Sequence, residues 1–332
     1  MKIDPSELGA PLRFRPEYQR LIWGGQRLAQ WRPDMPAGPI GESWELADHD
    51  RGVSVVANGP LAGHTLRELV EHAGVALVGP GFGGGRFPLM VKILDVHDRL
   101  SVQVHPDDAL ARLLGVGDNG KTECWVILED GGSVFQGTRP GVDRTVFETA
   151  LRDGAVVSTL NRFDCRAGDV FFLPARTVHA VGDGCLLYEI QQTSDVTFRV
   201  DDWGRVGLDG RTRPLHLAES MVTIDFACSD FGPFRPACTE APHGVGAVRQ
   251  LADCPYFLME EVRLPASTVL ERSCCEACTI ITCVKGEGEI ETKAGRCTIA
   301  SLQTVLVSSS ANAWCAVARS SGLTLLSATP KL

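Results

Sequence analysis

The 332-residue sequence predicts a mainly β protein, a sandwich or barrel with a few helices. Three observations carry that reading. Glycine (35) and proline (19) punctuate the chain at short intervals. Between them lie many short β-branched or aromatic runs, among them Val53–Val56, Leu89–Leu94, Ser101–Val104, Cys124–Leu128, Val170–Leu173, Leu186–Gln191 and Val196–Val200. Helical periodicity interrupts the pattern only locally. Thr65 is placed to cap a helix whose apolar face is Leu66, Leu69, Val70 and Ala73, ending at Gly74. A second helix is predicted from about Asp107 to Leu114, with Gly115 as its stop, and a third from Asp143 carrying Val146, Phe147, Ala150 and Leu151.

The composition shifts after about residue 230. The stretch FGPFRPACTEAPHG, residues 231–244, reads as a connection, and beyond it histidine almost disappears. Strand signals continue there at Thr279–Val284 and Gly288–Thr292, with Lys285, Gly286 and Glu287 predicted as the turn between them. Two β-rich units follow, residues 1–230 and 231–332, with no short-period repeat.

With 44% hydrophobic and 22% charged residues, the chain can bury one or two cores. No window reaches the roughly 18 apolar residues of a membrane span. The N-terminus MKIDPSELGAPLRFRPE is charged and proline-broken, unlike a signal peptide, so a soluble cytoplasmic protein is expected. In that setting the twelve cysteines are expected to be reduced. A formal charge of −9 argues against nucleic acid as a partner. An anionic small molecule would need a locally positive pocket. Oligomeric state is not legible.

The densest cluster of chemically capable residues is LSVQVHPDD, residues 100–108. Its alternation puts Gln103 and His105 on one face, because side chains i and i+2 point together. Glu123 follows in GKTECWVIL, and His179 lies in FFLPARTVHAVGDG, in a turn between two predicted strands. Two imidazoles, a carboxylate and an amide oxygen could converge on one divalent ion. That donor set suits zinc and tolerates manganese, iron or cobalt. Spacing alone does not separate this from ordinary strand polars, since the chain has eight histidines. Gly79, Gly81 and Gly84 satisfy G-x-G-x-x-G, but a helix precedes and a strand follows, the reverse of a dinucleotide site. Cys275 and Cys278 form a C-x-x-C with no second pair at finger spacing, which reads as buried strand thiols. Neither G-x-S-x-G nor H-E-x-x-H occurs.

The strings FPLMVKILDVHDRLSVQVHPDD (87–108), GKTECWVIL (120–128), LPARTVHAVGDGCLLYEIQQTSDVTFRVDDWGR (173–205), IWGG (22–25) and GESWELADH (41–49) resemble the type I mannose-6-phosphate isomerases, in their short bacterial form. The resemblance covers roughly residues 10–220 and implies a cupin-type jelly roll. It also implies that Gln103, His105, Glu123 and His179 hold one zinc, that Arg199 is an active-site arginine, and that Lys92, Lys121 and Asp195 line the pocket. Residues 231–332 would then be a second, metal-free cupin-like domain. Trp44 and Glu45 match the early motif as structural residues. Departures are Arg176, where a small residue is usual, the RVDDWGR string around Asp201, and a poor match over the C-terminal third.

The implied reaction interconverts mannose 6-phosphate and fructose 6-phosphate through an enediolate. It needs a Lewis acid at the sugar oxygens and a base for the C1–C2 proton. Glu189, Asp195, Lys121 and a water on the metal are all eligible as the base. The phosphate needs cations, for which Lys92, Lys121, Arg176 and Arg199 stand out. The alternatives are a related metal-dependent sugar-phosphate isomerase or epimerase, and a non-catalytic sugar-phosphate-binding cupin. Where relatives carry glycine, Arg176 is expected at positive φ, with its guanidinium directed to substrate phosphate or to Glu189.

Overall fold

The computed structural model describes residues 3–207, 209–228, 231–240 and 245–332. Most of this backbone is antiparallel strand, with four α-helices among the described residues. None of those helices is long and apolar enough to cross a membrane. Two compact units result. One comprises Tyr18–Ser43 and Lys92–Arg235; the other gathers Met1–Glu17, Trp44–Val91 and Pro236–Leu332.

The first unit is a β-sandwich. One sheet runs in the order Leu160–Asp164, Ser133–Thr138, His179–Val181, Val102–Val104, Phe198–Asp201. The other runs Val170–Leu173, Glu123–Ile127, Leu186–Gln192, Leu89–Asp95, Ile40–Leu46, Glu17–Gly25. Strand alternation sorts the side chains. Val102, Val104, Ala180, Phe198 and Val200 pack outward on a core with Phe147 and Ile224. Their neighbours Gln103, His179 and Arg199 therefore face the other way, into the sandwich. Its apolar filling is Leu94, Trp125, Ile127, Phe171, Leu173, Val181 and Leu187. Glu123 and Glu189 share the faces of Trp125 and Leu187 by the same period of two. The site is thus built where polar residues replace apolar ones on the inner faces.

The expected helices form. Thr65 makes a reciprocal capping box with Glu68, Asp107 caps Asp108–Leu114, and Asp143 caps Arg144–Arg152. Gly115 closes the second helix at φ 61. The first helix does not stop at Gly74. It kinks at Ala73 (φ −146) and continues to Val78, because Leu77 and Val78 still have a core to enter. A fourth helix, Leu217–Thr223, has no side-chain cap to announce it, and it buries Ser220 and Thr223 while Leu217 and Val222 stay exposed.

The second unit carries a ten-stranded sheet in which Thr279–Thr292 pairs with the long strand Ala313–Pro330. Lys285–Glu287 is not the predicted hairpin turn. The register with the partner jumps between Gly286 and Gly288, so the segment is a bulge inside one strand. The turn falls between the paired residues Thr292 and Gly295. The compact units also differ from a linear cut after residue 230. Leu12–Arg15 pairs with Thr304–Val307 on one side and Val55–Val56 on the other, which draws the N-terminal segments into the unit containing the C-terminus. Residues 231–240 of the connection are irregular apart from the short strand Thr239–Glu240, and its residues 241–244 lie outside the described residues.

Candidate active site

Across one sheet, Gln136 opposes His179, His179 opposes Gln103, and Gln103 opposes Arg199. Directly opposed residues of antiparallel strands project to the same face, so these side chains form a row. The Val102–Val104 strand stops just before His105, and Pro106 ends its pairing. On the facing sheet Glu123 opens its strand opposite Gln191, and Glu189 lies opposite Trp125. His105, Glu123 and His179 come together, with one potential ligand atom from each within 4.8 Å of the others. All three are buried.

The protonation states follow from the partners. His105 Nδ1 lies 2.7 Å from the Val196 carbonyl and His179 Nδ1 lies 2.8 Å from the Thr177 carbonyl. A carbonyl only accepts, so each Nδ1 carries the proton and donates it. Burial, reinforced by the Lys121 charge, pushes the His105 pKa well below its usual value, and burial takes His179 down to about 4. Both rings are therefore neutral, with Nε2 lone pairs turned inward. The His179 Nε2 lies 3.2 Å from Glu123 Oε1, and the His105 Nε2 3.8 Å. Glu123 Oε1 is buried without a hydrogen-bond partner. Lone pairs facing a carboxylate oxygen with no proton between them repel, and a divalent cation removes that repulsion. The donor set fits a metal ion. Gln103 now presents Nε2 at 3.3 Å to His179 Nε2, and turning its amide about χ3 would bring Oε1 to the same place.

Lys121 stands beside this group. Its ammonium donates to Glu123 Oε2 at 2.5 Å and to Glu189 Oε1 at 3.2 Å, and lies 3.4 Å from His105 Nε2. Burial opposes the lysine's charge, but Glu123 and Glu189 outweigh it and its pKa rises. Glu189 is also buried. Desolvation raises its pKa, Lys121 pulls the other way, and the balance leaves it above its ordinary value. Lys92 is buried with its ammonium 3.3 Å from Glu42 and 4.0 Å from Asp195. Burial works against its charge as well, and Glu42, Glu189 and Asp195 hold it protonated.

Arg199 is half-buried, its Nη1 donating to the Pro214 carbonyl and its Nε unpartnered. Burial and the nearby Arg213 and Arg205 bring its pKa down from the usual arginine value. Arg176 does sit at positive φ, 75°. Its guanidinium goes neither to Glu189, which is held by Lys121, nor into the His/Glu/His group. Nε donates to the Thr223 carbonyl at 3.0 Å, and Nη1 is 3.9 Å from Asp107. Glu42 was not singled out from the sequence, although its alternation with Trp44 in GESWE marks it as a possible inward residue. The carbonyls of Val196 and Thr177 that orient the two imidazoles have no sequence signal at all. Cys274 and Cys278 are buried and Cys275 is exposed; among the described residues only the His/Glu/His group gathers metal-ligating atoms.

Fold and site together define a cupin-type β-sandwich protein with a buried candidate metal centre flanked by lysine–carboxylate pairs. The family model of the phosphomannose isomerase type I catalytic domain matches residues 12–124. Mannose-6-phosphate isomerase ManA of Bacillus subtilis (strain 168) is 36% identical over 282 residues, covering 84% of this chain and 87% of that protein. The mannose-6-phosphate isomerase of Streptococcus mutans is 38% identical over 224 residues, or 65% of this chain and 68% of its own length. The crystal structure of the Bacillus subtilis mannose 6-phosphate isomerase matches with a TM-score of 0.87 at 29% identity, covering 96% of this chain and 99% of that one. A structure from Archaeoglobus fulgidus shares the fold, with a TM-score of 0.78 at 19% identity. The chain belongs to the type I phosphomannose isomerase family.

Proposed function

We propose that this protein interconverts mannose 6-phosphate and fructose 6-phosphate, with one zinc ion held by Gln103, His105, Glu123 and His179. The observation that carries the reading is Glu123 Oε1, buried and unpartnered against the two inward Nε2 atoms. A divalent ion bound there supplies a Lewis acid that polarises sugar oxygens.

The remaining steps fall to the chain's own residues. Aldose and ketose differ by a proton moved between C1 and C2, with an enediolate between them. Lys121 is held protonated and is the cation nearest Glu123, so it serves to neutralise negative charge developing on the sugar oxygens rather than as the base. Of the carboxylates, Glu189 is the better proton carrier. It is buried, burial raises its pKa above the ordinary carboxylate value, and Lys121 lies within hydrogen-bond reach to steady it once charged. Asp195 serves by orienting Lys92. Lys92 meets the phosphate, with Arg176 at the rim, and Arg199 faces the enediolate. Trp125 and Leu187, buried on the same inner faces, would help to keep water from the reacting carbon.

The test is a coupled assay for fructose 6-phosphate formed from mannose 6-phosphate, using untreated, chelator-stripped and zinc-reloaded protein. Activity lost on stripping and restored by zinc is expected. Full turnover by stripped protein would sink the metal assignment, and no turnover under any loading would sink the isomerase reading. In parallel, Arg176→Gly should raise KM for mannose 6-phosphate at unchanged zinc content; an unmoved KM removes Arg176 from the phosphate site.

A further inference from the structure

Arg199 lies where its strand becomes irregular. It opposes Gln103, and the register slips before Asp201 opposes Val102. A single residue outside the sheet engages its backbone. The Arg199 N–H donates to His216 Nδ1 at 3.1 Å, and the Arg199 carbonyl accepts from the His216 N–H at 2.8 Å. The neighbouring Pro214 carbonyl accepts from Arg199 Nη1 at 2.8 Å. His216 occupies the N-cap position of Leu217–Thr223, yet its side chain caps nothing on that helix. The ring lies 6.3 Å from that of Phe198 and is turned back to the strand. The far end of the helix is also tied down. Thr223 accepts from Arg176 Nε, Asp225 N–H donates to the Arg176 carbonyl, and Arg176 N–H donates to the carbonyl of His105.

We propose that His216 is a positioning residue for Arg199, holding its backbone at the strand irregularity so that the side chain stays on the face it shares with Gln103 and His179. The proposal rests on the role given to Arg199 above. The physical basis is that Phe198–Asp201 is the edge strand of its sheet, so the Arg199 N–H and carbonyl face no partner strand, and His216 takes both and fixes that edge in place. Only an unprotonated Nδ1 can accept. Burial and the Arg199 charge depress the His216 pKa, against a smaller opposing effect of Glu219. Arg199 on the strand and Glu219 on the helix are the charged groups that face it among the described residues. The hold therefore persists at neutral pH and fails as pH falls through the depressed value. Asparagine carries a carbonyl oxygen near the position of Nδ1 and does not titrate; alanine carries no acceptor.

The test uses zinc-loaded, full-length protein with 15N-labelled arginine, as wild type, His216→Asn, His216→Ala and Arg199→Ala. Arg199→Ala should lower kcat by roughly 30- to 1,000-fold. His216→Ala should lower kcat by roughly ten- to a hundredfold through misplacement alone, with KM and zinc content unchanged. His216→Asn should stay close to wild type at neutral pH, and its kcat relative to wild type should rise as the pH is lowered. The Arg199 amide resonance should titrate over the same range in wild type and not in His216→Asn. Wild-type kcat in His216→Ala with Arg199→Ala inactive overturns the positioning role and leaves the reading of Arg199 standing. Wild-type kcat in Arg199→Ala overturns that reading and the proposal with it. His216→Asn as impaired as His216→Ala, with no pH-dependent ratio, reduces His216 to packing and overturns the proposal.

Discussion

Arg176 holds a left-handed backbone (φ 75) without being glycine, and its surroundings show what offsets the strain. Such a conformation costs an L-residue about 1–2 kcal/mol. The side chain returns a hydrogen bond to Thr223, worth about 1 kcal/mol. Arg176→Gly removes both and should leave stability within about 1 kcal/mol of wild type. Arg176→Ala keeps the strain and loses the bond, so it should fall by about 1–2 kcal/mol. Urea denaturation of the two variants checks the order, and an alanine variant as stable as the glycine one would remove the strain argument. Glu123 is the residue on which the proposed metal centre depends. Glu123→Ala should lose most bound zinc and lower kcat/KM by at least about 100-fold, read by metal analysis beside the assay. In chelator-stripped protein, His179 has a second consequence. Its pKa is about 4 in the fold against an ordinary 6.5, so below pH 6.5 the unfolded chain takes up a proton that the native state does not. Stability should decline as pH falls through that window and level off below it. His179→Gln should flatten part of the slope in a series of urea midpoints; an identical slope would assign it to other groups.

At the scale of elements, the bulge at Lys285–Glu287 shows what a sequence pattern of strand, Lys-Gly-Glu, strand can conceal. Gly286 has φ 88, and a Cβ there would lie 2.1 Å from the Gly322 carbonyl oxygen. The glycine is required by close approach of the partner strand, not by a hairpin turn. Gly286→Ala should therefore cost at least about 2–3 kcal/mol, since strain and collision add. Loss of an ordinary helix cap, Asp107→Ala, should cost about 1 kcal/mol. Thermal or urea melts that rank the two in the opposite order would contradict the bulge geometry.

For the whole molecule, the discontinuous division of the chain has a direct consequence. The strand Leu12–Arg15 is paired on both sides within the unit that contains the C-terminus. A fragment of residues 231–332 alone would leave Thr304–Val307 without that neighbour and would lack the helix Leu66–Val78. It should show no cooperative unfolding transition by circular dichroism, whereas the full chain should. Zinc held at the proposed site, at about 100 times its dissociation constant, would add about 2.7 kcal/mol to the native state, so stripping it should lower the melting temperature by several degrees.

Local signals were legible in the sequence because they act over a few residues. Caps at Thr65, Asp107 and Asp143 and the stop at Gly115 are set by hydrogen bonds within one helical turn. Strand alternation in LSVQVHP assigned Gln103 a face before any partner was known, and the motif resemblance named the candidate ligands. Other features exist only once distant segments meet. The left-handed Arg176 was foreseeable, but its partner at Thr223 was not, because nothing in residues 173–184 specifies a helix forty residues later. The two carbonyls that fix the histidine tautomers come from Thr177 and Val196, and every residue has a carbonyl. Glu42 reaches Lys92 through neighbouring strands far apart in sequence. Residue type and local period determine what a segment can form and which face it offers. Pairing register and burial, which belong to the assembled sheets, decide which groups meet, which protons they keep, and which oxygen is left facing two lone pairs.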